Sequence, residues 1–156
     1  MRLLDAYELC DFLALASALM LAGLMTALST VMRKLWRGQA DAEAAAGFKG
    51  FLRWAATDRF LSTMSIVPVI APFAMALAAK PKEAQAGYAY CGGAVFFIGF
   101  FLWTAIFNLP IYKAVRAWTP CPTPADTRVQ IRRFHRSNLV RLGSALMTAA
   151  LFFMAA

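Results

Sequence analysis

The sequence has few of the side chains that metal and redox sites need. It contains one histidine, His135, and three cysteines, Cys10, Cys91 and Cys121, which form no Cys-x-x-Cys pair. Zinc sites, iron–sulfur clusters and thioredoxin-like sites require several such ligands or that pair. A single histidine also excludes a bis-histidine haem or a histidine-rich di-iron site held within one chain. We therefore expect this chain to bind no cofactor and no metal by itself.

Charged residues are scarce as well. They make up 15% of the 156 residues, and apolar residues make up 61%. An average soluble domain is about 25% charged and about 45–50% apolar, so a soluble enzyme, a nucleic-acid-binding domain and a disordered tail are poor interpretations. We predict an all-α fold, an integral membrane four-helix bundle in which residues 1–156 form one membrane domain. Its spans are the four apolar runs of about 20 residues each, at residues 12–32, 60–79, 88–111 and 139–156.

The net charge is +8, and the positions of the basic residues along the chain predict the membrane topology. Two long polar segments, 33–59 and 112–138, carry six basic residues each. The flanks on the other side carry only Arg2, Lys80 and Lys82. Because basic loops stay on the cytoplasmic side, we predict a bacterial inner-membrane protein with both long segments inside and both termini outside. Orientation and anionic lipid account for the charge, so we expect the lipid bilayer and no nucleic acid as a partner.

The two long polar segments contain further helical signals. The stretch from Asp41 to Trp54 has the pattern of a short amphipathic helix at the membrane interface, in the first cytoplasmic loop. The segment from Thr123 to Asp126 has the pattern of a helix start: a threonine at the N-cap, a proline at the first helical position and an acidic residue in the first turn. We expect the fourth helix to begin near residue 124, below the membrane, and to continue into the last span.

Polar side chains in or beside the spans are the candidate site, because polar groups are costly in hydrocarbon. Arg141 is the one basic residue that enters a span. If it is buried it needs a partner, which Asp58 or Asn108 can supply. The alternative is that its guanidinium snorkels to the lipid headgroups. The candidate residues are Asp58, Asn108, Tyr112, His135, Asn138 and Arg141.

Other features leave two interpretations open. Pro68 and Pro72 interrupt the second span and either open a cavity or only shape helix packing. The aromatic side chains of the third span either line a pocket for a flat apolar molecule or form ordinary packing contacts. Cys10 and Cys91 lie near the outer face, where a disulfide is chemically permitted but not required.

The third span ends in a segment that resembles a known family. Asn108, Pro110 and Tyr112, followed by Trp118, look like the Asn-x-Pro-x-Asn segment of the anthrone-oxygenase-like integral membrane proteins. Tyr112 stands where the family's second asparagine is usual. The resemblance extends loosely over the whole chain, through four spans, a long first loop and a short second one, and is specific over about residues 103–145.

The last span carries the second part of this resemblance. Phe134, Asn138 and Arg141 are similar to that family's aromatic, His/Asn and Arg positions at the start of the last helix. Phe134 stands where tryptophan is common. The resemblance therefore places the family's polar positions on two helices that are consecutive in the sequence.

The resemblance implies an oxidative activity. Some family members are associated with the oxidation of aromatic polyketide anthrones to quinones without a metal or flavin. An anthrone carbanion reacts with oxygen once a base has removed its proton. Asp58 or His135 would then be the base, Arg141 would stabilise the enolate or peroxide, and Asn108 would orient it. The implied function is a cofactor-independent oxygenase that acts on a lipophilic aromatic substrate.

A second interpretation of the sequence is a non-catalytic accessory or assembly subunit of a larger membrane complex. Ala14, Ala18 and Ala22 form a small-residue stripe that suits close helix contact, within the bundle, in a homo-oligomer or with another membrane subunit. A transporter or channel is less favoured, because the middle of the spans carries no ionisable residue and no inverted repeat is visible.

Overall fold

Helices account for nearly all of the structure. The computed structural model describes residues 5–78, 83–119 and 121–156, and within these ranges it contains helices and no strand. Arg2, Lys80 and Lys82, and with them most of the predicted outer turn, lie outside the described residues. The helices are α1 (Ala6–Gly38), α2 (Asp41–Thr57), α3 (Arg59–Ala78), α4 (83–116) and α5 (Thr127–Ala155).

Four of these helices, α1, α3, α4 and α5, are long and apolar enough to cross a membrane. α1 packs against α3 and α5, and α4 packs against the same two helices, so the four spans follow one another around the bundle in chain order. Large apolar side chains such as Phe73, Leu77 and Phe153 are exposed on the outside of the bundle. Lipid is the solvent that suits such a surface. The predicted all-α membrane bundle is confirmed.

The terminal end of the bundle, which holds the start of α1 and the end of α5, is fixed by polar contacts. The Asp5 carboxylate accepts a hydrogen bond from the backbone N–H of Glu8 at 2.8 Å, and the Glu8 carboxylate accepts one from the backbone N–H of Asp5. This capping box satisfies backbone donors that the first turn leaves free. The Tyr7 hydroxyl donates to the Ala155 carbonyl at 3.2 Å, which ties α1 to α5.

The opposite end, here called the basic end, is covered by α2. This helix begins at Asp41 as expected and continues to Thr57, somewhat beyond the predicted Trp54. Its buried Phe48 packs against the ring of Trp36 on α1, with 5.1 Å between ring centroids, and against Phe134 on α5 at 5.2 Å. The apolar face of an amphipathic helix is thus buried against the ends of two spans.

Arg128 holds α2 in this position. Its guanidinium donates to the Asp41 carboxylate at 2.6 Å and to the backbone carbonyls of Gln39, at 2.6 Å, and Trp36. One side chain of α5 therefore binds the last carbonyls of α1 and the first acid of α2. A cation suits the carbonyl end of a helix, where the helix dipole is negative.

The start of α5 differs from the prediction. The helix begins at Thr127 and not near residue 124, and Thr123 makes no capping hydrogen bond among the described residues. The reason is a turn in front of the helix: the Pro124 carbonyl accepts from the Thr127 backbone N–H at 3.2 Å and from its hydroxyl at 2.7 Å. The helical pattern starts with the Gln130 N–H bond to the Asp126 carbonyl.

Glycines on α4 allow the neighbouring spans to approach closely. A Cβ added at Gly93 would lie 2.9 Å from Pro72 Cγ and 3.3 Å from the Pro68 carbonyl oxygen. The two prolines of α3 therefore pack against α4 at a position where any side chain larger than that of glycine would overlap them. On the side facing α5, a Cβ at Gly99 would lie 2.5 Å from Ser144 Cβ. Such contacts are typical of membrane helices, whose association relies on close packing.

We predict that Gly99→Ala destabilises the bundle, because its methyl group would overlap Ser144. Overpacking of this kind costs about 1–3 kcal/mol. Gly143→Ala is the matched control: nothing lies within 4 Å of a Cβ there, and alanine favours a helix by at most about 1 kcal/mol. Thermal unfolding of the detergent-solubilised variants measures both effects. Adding Ser144→Gly to Gly99→Ala should restore stability, and no restoration would contradict this packing.

Candidate functional site

α4 departs from regular α-helix where it packs against α5. Two π-helical turns, Phe97–Leu102 and Thr104–Asn108, interrupt it before it resumes as Leu109–Arg116. Both turns contact α5. A π turn inserts an extra residue into the helix and rotates the side chains that follow, and such turns are frequent at functional sites. Here Asn108 closes the second turn and is fully buried.

A buried polar cluster lies between α4 and α5. Asn138 is fully buried and Arg141 is 9% exposed. The Arg141 guanidinium donates to the Asn138 side-chain oxygen at 3.1 Å, and its central carbon lies 4.1 Å above the ring of Phe100. The Tyr112 side chain lies beside the same guanidinium. Arg141 is therefore packed inside the bundle, and its side chain does not snorkel outward.

Side-chain direction explains how Tyr112 and Arg141 meet. Helical side chains lean toward the N-terminus of their own helix. On antiparallel α4 and α5, this directs Tyr112 away from the basic end and Arg141 toward it. The two side chains therefore converge although their positions on the helices are several turns apart. Arg141 is also stabilised by the face of Phe100, since an aromatic ring attracts a cation.

The cluster has unused hydrogen-bonding capacity. Among the described residues, no partner is present for either amide atom of Asn108, for the Asn138 side-chain nitrogen or for Arg141 Nε. The one ion pair in the described ranges joins Arg128 to Asp41, so no described carboxylate pairs with Arg141. A buried cation without a counter-charge is costly. This arrangement suits an anion or a polar ligand atom that would complete the cluster.

Asp58 and His135 lie outside this cluster. Asp58 is exposed and accepts from the Leu61 backbone N–H at 2.7 Å, so it caps the start of α3 and does not bind Arg141. His135 is 6% exposed, and neither ring nitrogen has a partner among the described residues. Its ring lies 5.5 Å from the Trp36 ring, on the side of α5 that faces α1. The expectation that Asp58 or Asn108 partners Arg141 is not met, because the hydrogen-bond acceptor of Arg141 is Asn138.

A cleft opens at the basic end, between α2, the end of α4 and the loop that follows. This α2–α4 cleft has a volume of about 640 Å³, within the usual range for small-molecule sites of about 300–1,000 Å³. The α2 side consists mainly of small residues with two cations, and the α4 side adds an aromatic and a third cation. The lining includes Ala42, Ala46, Lys49, Gly50, Arg53, Tyr112, Val115, Arg116 and Trp118.

Tyr112 connects the cleft with the buried cluster. Its side chain lines the cleft and also lies beside the Arg141 guanidinium. Below the opening, the cleft is closed by the buried side chains of Leu52, Val115 and Trp118. The Lys49 ammonium donates to the Trp118 carbonyl, which holds the loop after α4 against α2. The candidate site is therefore a half-open cleft with a buried cation behind its tyrosine.

Of the residues that line the cleft, only Tyr112 was a candidate from the sequence, and Lys49, Arg53 and Arg116 were not. Lys49 and Arg53 lie four residues apart on an amphipathic helix, a pattern that also fits a solvated basic face. Only the contact between α2 and the end of α4 turns that face into the wall of a cleft.

The described residues contain no group of metal ligands: no three His, Cys, Asp or Glu side chains lie close enough together to hold an ion. Cys10 and Cys91 are free thiols.

The fold and site define a class of small polytopic membrane protein, a helical bundle with one buried arginine beneath a cleft at its basic end. Comparison with known families narrows this class: the family model described as anthrone oxygenase matches residues 51–151. The chain belongs to the anthrone oxygenase family, and the resemblance seen in its sequence is confirmed. No curated protein and no solved structure gives a significant match.

We predict opposite stability effects for the two buried asparagines. Asn138→Leu removes the oxygen that accepts a hydrogen bond from Arg141, and a hydrogen bond to a charged group contributes about 1.5–3 kcal/mol. Asn108→Leu removes an amide that has no partner among the described residues, so stability should be unchanged or higher. Thermal unfolding in one detergent measures both variants. Equal losses for the two would contradict the assignment of the Arg141 acceptor.

Proposed function

We propose that this protein is a cofactor-independent oxygenase that converts a lipophilic aromatic substrate of the anthrone class into the corresponding quinone. The observation that carries the proposal is the Arg141 guanidinium, a buried cation next to a cleft-lining phenol and without a described carboxylate partner. A cation held in an apolar site stabilises negative charge that develops there far more than it does in water. Family membership supports the same chemistry.

The substrate would bind in the α2–α4 cleft. The small residues Ala42, Ala46 and Gly50 and the aromatic side chains of Tyr112 and Trp118 line it together, and this lining suits a flat ring system. Because the cleft is at the end of the bundle, an apolar substrate can reach it from the membrane surface. The Tyr112 phenol would donate a hydrogen bond to the substrate oxygen, next to Arg141.

Proton removal is the first chemical step. A base takes one proton from the methylene carbon between the rings, and the electron pair delocalises onto the ring oxygen as an enolate. Of the two candidate bases, we propose Asp58. It lines a second, shallow groove at the junction of α2 and α3. This groove meets the α2–α4 cleft at Thr57, which lines both. His135 is further away, behind Phe134 and against Trp36. Arg141 and Tyr112 would stabilise the enolate oxygen.

Oxygen then reacts with the carbanion. Molecular oxygen forms a bond to the carbon, the resulting peroxide takes up a proton, and loss of water leaves a carbonyl group. One oxygen atom ends in the quinone and the other in water, so a single O2 accepts all four electrons that the methylene carbon loses. Asn108 and Asn138 carry side-chain nitrogens that are unpartnered among the described residues, and they would donate to the peroxide oxygens.

The activity test supplies anthrone and oxygen to the purified protein and records quinone formation together with oxygen uptake. We expect one O2 consumed per quinone. Arg141→Met should lower the rate about 10²–10³-fold, because it removes the charge that stabilises the enolate. Arg141→Lys should retain part of the rate, and Asp58→Asn should lower it. Arg136→Ala, which removes an exposed cation from the same helix, is the matched control.

Two outcomes would overturn the proposal. Wild-type rates for both Arg141→Met and Asp58→Asn would show that these residues do not perform the chemistry. Absence of any acceleration by the wild-type protein would favour the second function, a non-catalytic subunit. In that case native mass measurement after gentle extraction should find the chain bound to other subunits.

We also propose that the basic end faces the cytoplasm of a bacterial inner membrane, so that the cleft opens there. The basic loops support this orientation through the positive-inside rule. Labelling of single-cysteine proteins with an impermeant maleimide tests it. Cys121, exposed at the basic end, should react only after the cells are permeabilised. Ala156→Cys, in a chain without the native cysteines, should react in intact cells, and the reverse pattern would contradict the orientation.

A further inference from the structure

We infer that the α2–α4 cleft selects an aromatic acid, a flat ring system that carries a carboxylate or similar anionic group. This inference rests on the proposed function and specifies the class of its substrate. It is drawn from the charges and the shape of the cleft lining, which differ from those expected for a neutral hydrocarbon-like ligand.

All charged residues that line the cleft are cations. Lys49 and Arg53 lie on α2, and Arg116 lies across from them on α4. Among the described residues, the one acidic group in an ion pair is Asp41, which binds Arg128 and not these three. A cleft with one sign of charge and apolar walls concentrates ligands of the opposite sign. The cationic lining therefore favours an anionic ligand.

The three cations are not equivalent. The Lys49 ammonium already donates to the Trp118 carbonyl and holds the loop in place. Arg53 and Arg116 are exposed and have no hydrogen-bond partner within the described part of the chain. The central carbon of the Arg53 guanidinium lies over the ring of Trp54, at 5.2 Å from its centroid. A guanidinium binds a carboxylate through two parallel hydrogen bonds, so these two arginines are the proposed anchors.

The shape of the cleft indicates a ring and not a lipid chain. The α2 side of the lining includes the small residues Ala42, Ala46 and Gly50, and the α4 side includes the aromatic side chains of Tyr112 and Trp118. Small residues leave room for a broad ligand, and aromatic side chains offer contacts to a planar one. The exposed arginines lie at the rim and the half-buried Tyr112 lies deeper. A ligand whose acid group binds at the rim therefore directs its rings toward Tyr112 and the cluster behind it.

Binding of an unreactive probe tests this inference without any turnover. The probe is anthraquinone-2-carboxylate, compared with neutral anthraquinone, on the full-length protein in bilayers of phosphatidylcholine alone. We expect the carboxylate to bind about tenfold or more tightly, as charged hydrogen bonds provide. The double variant Arg53→Gln/Arg116→Gln should lose this advantage. Arg132→Gln/Arg133→Gln, which removes two exposed cations outside the cleft, should keep it.

Failure of this inference is distinct from failure of the proposed function. Equal binding of the two probes, or an unchanged preference in the Arg53→Gln/Arg116→Gln protein, would overturn the inference even if anthrone is oxidised. Tight binding of the carboxylate without any oxidation would support the inference and overturn the proposed oxygenase. Loss of binding of both the anionic and the neutral probe when phosphatidylglycerol is added would also overturn the inference, because the lipid headgroup would then occupy the cleft. Loss of the anionic probe alone is the expected effect of the negative membrane surface.

Discussion

The buried guanidinium of Arg141 is the constraint around which the polar cluster of this bundle is arranged. Moving a guanidinium from water into an apolar interior costs several kcal/mol, and the cost must be offset by neighbouring groups. Here the Asn138 oxygen, the Phe100 ring and the Tyr112 side chain surround Arg141. They are neutral groups, so they lower the cost without cancelling the charge. The positive charge therefore remains available to a ligand that approaches from the Tyr112 side.

The cleft depends on a second arginine with a different role. Arg128 binds the end of α1 and the start of α2 together, while Phe48 fills the space between α1, α2 and α5. These contacts fix one wall of the cleft at a defined distance from the other. One arginine thus shapes the cleft through structural hydrogen bonds, and the other places a positive charge behind the tyrosine that lines it.

The fold was predictable from the sequence, and the site only in part. Apolar runs of about 20 residues have few alternatives to a membrane helix, so the spans and the helix from Asp41 were anticipated. The cost of polar groups in hydrocarbon singled out Asn108, Tyr112, Asn138 and Arg141. It left open whether Arg141 is buried or snorkels, and the structure brings Tyr112, Asn138 and Arg141 together. The position of His135 was not foreseen, because the side of α5 that faces α1 is decided by helix packing. The cap that Asp58 makes at the start of α3 is a local contact, and the residue type at that position could have indicated it. The cleft was missed because its walls come from segments that are distant in sequence.

The close contacts at Gly93 and Gly99 fix the position of α4 along the bundle axis. Gly93 admits the prolines of α3, and Gly99 admits Ser144 of α5. A shift of α4 by one turn, about 5.4 Å, would bring Ala89 or Phe97 to the proline surface instead, and neither leaves the space that Gly93 leaves. These contacts act as stops that set the axial register of α4. Asn108 follows Gly93 on the same helix, after both π-helical turns, so the contact that holds Gly93 in place also fixes how deep the Asn108 amide lies in the bundle.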